Sequence, residues 1–185
     1  MERGGFTMKK VLCAVAVLLL VGLGGTAFAE GNSPMLNCGT QELGLSGNVD
    51  FDDHNGDVYL DIFASYGYFV LDNFELGGKA GYLRAEDGDV EVLNLGIFAE
   101  YNFPVSAIAV PFIGVGLDYA YADVYDQDED AVVFTPAVGV QWFVTEYFAI
   151  DTRLFFNWAS EDMYVNDNRV EDYDWGMSLG LRTYF

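Results

Sequence analysis

The sequence predicts an all-β fold, an eight-stranded antiparallel up-and-down transmembrane β-barrel. Three observations carry that expectation. Apolar and polar residues alternate with a period of two in eight successive segments, and none sustains a helical period. The segments exceed the roughly five to six residues usual for globular strands and suit a tilted crossing of a hydrocarbon layer. Finally, 52% of residues are hydrophobic and 16% aromatic, yet the formal net charge is −21. A soluble domain must bury that apolar content, whereas a barrel in lipid points it outward.

The first segment, residues 40–51, sets Leu43, Leu45, Val49 and Phe51 against Glu42, Ser46, Asn48 and Asp50. The second, 58–70, carries an unbroken apolar face from Val58 through Ile62 and Tyr66 to Val70. In the third, 74–85, Phe74, Leu76, Ala80 and Tyr82 oppose Glu75, Lys79 and several glycines. The fourth, 90–103, alternates Leu93, Leu95, Ile97, Ala99, Tyr101 and Phe103 with Asn94, Gly96, Glu100 and Asn102. The fifth, 112–122, sets Ile113, Val115, Leu117, Tyr119 and Tyr121 against Gly114, Gly116 and Asp118.

The sixth, 132–144, sets Phe134, Val138, Val140 and Trp142 against Thr135, Gly139 and Gln141. Pro136 lies inside it and lacks the N–H a ladder needs, so a bulge or an end of regular pairing is expected there. The seventh, 148–159, opposes Phe148, Ile150, Leu154, Phe156 and Trp158 to Asp151, Arg153 and Asn157. The eighth alternates to the last residue, with Trp175, Met177, Leu179, Leu181 and Thr183 on one face and Gly176, Ser178, Gly180, Arg182 and Tyr184 on the other.

The connections fall into two kinds. Segments 71–73, 104–111 and 145–147 hold at most one acidic residue each. Segments 52–57, 86–89, 123–130 and 161–174 are sharply acidic. Short turns at one end and longer polar loops at the other are the pattern of a barrel whose short side faces the periplasm. An even strand number puts both chain ends on that side. Residues 69–74 (FVLDNF) echo 143–148 (FVTEYF), which indicates repeated hairpin chemistry rather than a solenoid. Aromatic residues on the apolar face gather near both ends, Tyr66, Tyr68, Tyr101 and Trp142 at one, Tyr82, Tyr121, Trp158 and Trp175 at the other. Amphipathic rings settle at headgroup level, so two such bands fit a membrane span.

The N-terminal region has the parts of a secretory signal peptide. Met8-Lys9-Lys10 is a basic start, residues 11–21 are apolar, and Ala27-Phe28-Ala29 is a small-x-small cleavage site. Residues 1–29 are therefore expected to leave, with 1–7 an upstream extension and Met8 a more natural initiator than Met1. Residues 30–39 are expected to form a flexible N-terminal segment and 40–185 the barrel. No later run approaches the length of a transmembrane helix. Cys13 departs with the leader, so Cys38 is expected as a lone free thiol.

The inward face carries an expected lumen charge network of Glu42, Glu75, Lys79, Glu100, Asp151, Arg153 and Arg182, with Asp61, Asp118 and Gln141 beside it. Eight strands leave an interior only wide enough for side chains, so opposite charges there should pair and plug it. Catalytic signals are sparse. His54 is the single histidine, lies in the acidic loop 52–57 and has no serine near it in sequence, so a solvated loop residue is the expectation. Residues 126–131 begin like a calcium loop, but no glycine stands at the sixth position and Ala137 occupies the place of the bidentate glutamate. Metal sites, cofactors and catalytic residues are accordingly not expected, although weak shared binding of divalent cations by the acidic loops stays open. A charge of −21 repels nucleic acid.

The terminal segment, with Ser178, Gly180 and alternating residues up to Phe185, resembles the C-terminal assembly signal of bacterial outer-membrane barrels. Thr183 departs from that pattern, standing where a bulkier apolar residue is usual. The mature chain as a whole is similar to the small OmpA/OmpX-like family of outer-membrane β-barrels. The likeness rests on the leader, the eight strands, the hairpin segments 69–76 and 138–150, and Phe185. It implies an integral protein of the cell outer membrane in a Gram-negative-type bacterium. Outer-membrane lipid, lipopolysaccharide and the barrel-assembly machinery are its implied partners, and a monomer its implied state. The implied role is structural or one of surface interaction, in adhesion or resistance, with no shared catalytic site and an unidentified extracellular ligand. A peptidoglycan-binding segment after Phe185 is not expected, so that role is not carried over. The rival readings are a lipid A-modifying enzyme, a narrow small-solute pore, and a soluble lipocalin-like binder. The last would need its apolar face turned inward.

Overall fold

The structure, a computed structural model, describes residues 34–49, 60–84, 90–124, 127–161, 164–166 and 169–185. Every regular element among them is a strand. Seven strands follow in order: β1 (Gln41–Val49), β2 (Leu60–Leu71), β3 (Phe74–Arg84), β4 (Val90–Asn102), β5 (Ala109–Val124), β6 (Gln127–Thr145) and β7 (Phe148–Ala159). A small hairpin, β8 (Tyr164–Asn166) and β9 (Arg169–Glu171), precedes the last strand, β10 (Tyr173–Tyr184). The barrel closes in the order β1-β10-β7-β6-β5-β4-β3-β2, with every neighbour antiparallel. Closure leaves no open sheet edge around the wall, the condition for a β-structure in lipid.

Period-two alternation decides which way each residue points, and the outward set is the apolar one. Leu43, Leu45, Leu95, Ile97, Leu117, Leu179 and Leu181 are all exposed, Ile97 at 65%. Soluble monomers rarely expose a contiguous apolar surface of this kind, and a lipid-facing wall requires it. Exposed rings mark both ends of the wall, Tyr66, Tyr68 and Tyr101 toward the short turns, Tyr82, Tyr121, Trp158 and Trp175 toward the long loops. Val140, expected outward, is only 2% exposed. It is register partner to Pro111 and Thr152, and the Trp142 Nε1–H donates to Thr152 Oγ1 beside it.

The two echoed segments are twin bulged hairpins. Register shifts fall between Phe69 and Leu71 and between Phe143 and Thr145. Each bulge lets the strand turn at once, closing on Leu71↔Phe74 and Thr145↔Phe148. Asn73 sits at φ 65°, a left-handed conformation that asparagine tolerates better than most residues. Phe69 and Phe143, the last residues before each bulge, are buried on the inward face that alternation gives them. Pro136 produces no slip: pairing of β6 with β7 stops after Phe134↔Trp158 and resumes at Ala137↔Phe155 in the same register. In the gap Thr135 Oγ1 donates to Asn157 Oδ1 at 2.8 Å, a side-chain bond in place of the missing ladder.

Two further features differ from expectation. Residues 34–39, expected to be flexible, are seated across the short-turn end. Leu36 is buried, the Asn73 N–H donates to its carbonyl at 2.7 Å, and the Cys38 N–H donates to Asp72 Oδ1 at 2.8 Å. Sequence alternation missed this anchor because one buried leucine has no period. Strands β5 and β6 also run on into the acidic stretch 123–130, since their mutual ladder continues from Tyr121↔Asp130 to Val124↔Gln127. The leader 1–29, residues 52–57 with His54, and residues 86–89 lie outside the described residues. The side chain of Asp61 does too.

Arginine at Ile97 or Leu179, mid-strand on the outer face, is expected to cost about 2–4 kcal/mol in lipid if the position lies near the bilayer midplane. Reversible denaturant titration of the barrel in lipid vesicles measures it, and an unchanged Leu179→Arg variant would show the face to be assigned wrongly.

Candidate functional site

The lumen is layered along the barrel. At the short-turn end Leu36, Phe69, Val110, Phe143, Ala149 and Tyr184 form one apolar cluster. The Phe143 and Tyr184 rings stack at 5.3 Å, and Phe69 leans on Tyr184 at 6.3 Å. The Tyr184 hydroxyl donates to Gln141 Oε1 at 3.1 Å, and Gln141 Nε2 donates to Asn102 Oδ1 at 2.8 Å and to Glu100 Oε1 at 3.1 Å. A chain of amides thus links the apolar floor to the charged layer above.

Arg182 on β10 is the centre of that layer. Its Nη1 lies 2.7 Å from Glu100 Oε1 and its Nη2 3.2 Å from Glu100 Oε2, a two-pronged bond. Nη1 also donates to Glu42 Oε2 at 3.0 Å, and Nε lies 3.3 Å from Asp151 Oδ1. Glu42 and Asp151 stand on β1 and β7, the strands either side of β10, and Glu100 stands on β4, directly across the barrel. One guanidinium therefore joins both neighbours to the opposite wall. Arg153 adds a second bond to Glu100 Oε2 at 3.0 Å and lies 3.8 Å from Asp151. The edge of the layer is aromatic: the Phe112 ring lies 5.0 Å from the Arg182 guanidinium and 5.1 Å from that of Arg153.

Of the seven residues expected in one network, five meet: Glu42, Glu100, Asp151, Arg153 and Arg182. Lys79 does not join them. Its Nζ lies 2.8 Å from Asp118 Oδ2 and over the Phe63 ring, a separate pair nearer the long loops. Glu75 is fully buried beside the network, yet neither of its oxygens accepts a hydrogen bond among the described residues. The members that sequence reasoning left out of the network are Gln141, Asn102, Tyr184 and Phe112. Alternation places all four inward, but neutral side chains carry no charge signal to link them.

Between the two ion-paired groups lies a cavity of about 20 Å³, lined in part by Lys79, Glu100, Thr135 and Arg153. That is roughly room for one water molecule. Above it Ala120, Ala131, Val133 and Ala159 form a second apolar cluster against Val92 and Tyr164 of the small hairpin. Ser178 and Gly180 of the terminal segment also face inward. A side chain at Gly180 would meet the Asp151 carboxylate, so glycine there leaves the acid free to reach Arg182. Phe185 is exposed, and its backbone continues the seam: Gln41 N–H donates to its carbonyl at 2.9 Å, and its own N–H to the Gln41 carbonyl at 3.0 Å.

A closed antiparallel wall with an apolar outside and a filled, charged inside defines an integral membrane β-barrel of the smallest kind. The family model of the outer membrane protein beta-barrel domain matches residues 15–182. The chain belongs to that family, and its place is the cell outer membrane. Solved structures of the same fold include the N-terminal β-barrel domain of OprF from Pseudomonas aeruginosa, with a TM-score of 0.60 at 18% identity, covering 80% of this chain and 98% of that one. Neisserial surface protein A gives 0.54 at 18% identity over 79% of this chain and 95% of its own. OprG from Pseudomonas aeruginosa gives 0.53 at 12% identity over 83% and 99%. A comparison with curated protein sequences finds no match.

Replacing Arg182 by methionine leaves the carboxylates of Glu42, Glu100 and Asp151 facing one another in the lumen. Loss of a buried partner of this kind costs about 3–5 kcal/mol. The double variant R182M/E100Q is expected to be more stable than R182M alone, because it removes one stranded charge. Denaturant midpoints of the four proteins of the cycle in vesicles read the coupling, and strict additivity would mean the fork between Arg182 and Glu100 contributes nothing.

Proposed function

We propose that this barrel is a closed, non-enzymatic scaffold of the outer membrane that holds its acidic loops at the cell surface for structural or surface-interaction work. The observation that carries this reading is the filling of the lumen. An apolar floor, an amide chain, a guanidinium spanning the diameter and a second ion pair succeed one another, with a cavity of about 20 Å³ between the charged groups. A solute has no path through side chains packed this way. The wall supports a monomer, since each strand already has two partners within the chain. The inward Ser178 and Gly180 and the outward Phe185 suit recognition of the last strand by the barrel-assembly machinery. The apolar belt suits outer-membrane lipid and lipopolysaccharide.

Surface interaction is then left to the long-loop end, where the acidic segments gather. Their charge favours basic or cation-bridged partners over anionic ones. Two measurements test the reading together. Reconstituted in planar bilayers, the intact barrel is expected to pass negligible current, and a steady ohmic channel would overturn the closed lumen. Protease added to intact cells is expected to cut within residues 123–130 or 161–174, and cleavage confined to the short turns would invert the orientation.

A further inference from the structure

Residues 34–39 cross the short-turn mouth of the barrel from one wall to the opposite one. Near the start of this strap the Met35 N–H donates to the Glu146 carbonyl at 3.4 Å, in the β6–β7 turn. Further on, the strap is bonded to the β2–β3 turn and the end of β2. The Asn73 N–H donates to the Leu36 carbonyl at 2.7 Å, the Cys38 N–H to Asp72 Oδ1 at 2.8 Å, and the Cys38 Sγ–H to the Val70 carbonyl at 3.4 Å. The two turns stand opposite each other in the ring, with β1 and β10 between them on one side and β4 and β5 on the other. They are also the echoed segments of the sequence, 69–74 and 143–148. The echo therefore supplies two landing points for one strap. The Tyr147 carbonyl, next to Glu146, accepts from the Tyr184 N–H at 2.8 Å, so the β6–β7 turn holds the closing strand as well.

Leu36 is the hook of the strap. Its socket is made by Phe69 on β2, Val110 on β5, Phe143 on β6, Ala149 on β7 and Tyr184 on β10. Residues of these five strands meet only when β10 has joined β1 and the ring is complete. Before that, ordering residues 34–39 costs backbone entropy with no finished socket to offset it. One flank of the strap borders an open depression of about 460 Å³, lined in part by Pro34, Asn37, Pro104 and Ser106. The strap can thus lift away without displacing a strand. Gly39 forms the corner where the strap turns into β1. Its φ is +97°, a region that side chains of L-residues rarely adopt, and a Cβ there would meet nothing within 4 Å. A side chain at this position disturbs the direction of the strap and not the packing of the barrel.

We propose that residues 34–39 are a latch, which docks after the barrel has closed and then holds it against reopening. The strap ties the two opposite turns together and, through the turn that accepts from Tyr184, secures the β1–β10 seam. Contacts made only after the folding transition state slow unfolding and leave the folding rate alone. The latch goes beyond the closed lumen and is independent of it, since Arg182, Glu100 and Gln141 fill the interior whether or not the strap is seated.

Folding and unfolding rates of the barrel in phosphatidylcholine vesicles test the latch. Leu36→Ala empties the socket, and Gly39→Ala strains the corner. Both variants are expected to fold at the wild-type rate and to unfold in urea faster, Leu36→Ala by about tenfold. Slower folding of either variant, or failure to fold, overturns the proposal, because the strap would then take part in closure. Wild-type unfolding rates in both overturn it as well. Hydrogen exchange at the Asn73 amide reports docking directly, because the Leu36 carbonyl is its partner. Gly39→Ala is expected to lose protection there. Retained protection alongside faster unfolding overturns the latch, since the strap would still be seated.

Discussion

A guanidinium enclosed in an eight-stranded barrel has five N–H donors to place and almost no water to take them. Arg182 meets that constraint by engaging acids on three other strands. Two of those strands flank it and the third lies directly opposite, so the bonds work along the wall and across it. The geometry around Arg182 then dictates its neighbours. Gly180 yields room for Asp151, Phe112 offers its face to both arginines, and Gln141 donates to Glu100 Oε1, the oxygen it shares with Arg182. A buried pair of this sort is a doubtful source of net stability, because desolvation offsets much of the attraction. In the observed register one guanidinium engages acids on β1, β4 and β7 at once.

The floor of the barrel answers a different problem. The seam between first and last strands is formed by β1 and β10, elements at opposite ends of the chain. Tyr184 stands at the bottom of that seam and is packed by Phe69 and Phe143, the inward residues that immediately precede the twin bulges. Leu36 then covers the cluster from below. The same residues that make the two tight turns thus secure the closing strand.

The outer face was legible in the sequence because alternation is a local property. From Leu93 to Tyr101, and from Trp175 to Leu181, each residue's side follows from parity alone, and burial agrees. Strand ends were less legible where a partner strand decides them. Residues 123–130 look like a loop by charge, yet β5 and β6 extend there because each supplies the other's ladder. Pro136 looks like a break, yet the register survives it because Thr135 and Asn157 bridge the gap by side chains.

By itself, the sequence determined the eight strands of the barrel wall, the lipid-facing side, the acidic end and the set of inward charges, since period, hydropathy and charge are written residue by residue. The tertiary structure alone decided which inward groups meet. Barrel closure sets which strands stand opposite, and this is why Arg182 reaches Glu100 across the diameter while Lys79 is confined to Asp118. It also decided that Glu75 lies beside acids and not cations, and that Leu36 seals the floor. Those outcomes depend on stagger between distant strands, a quantity that no local pattern carries.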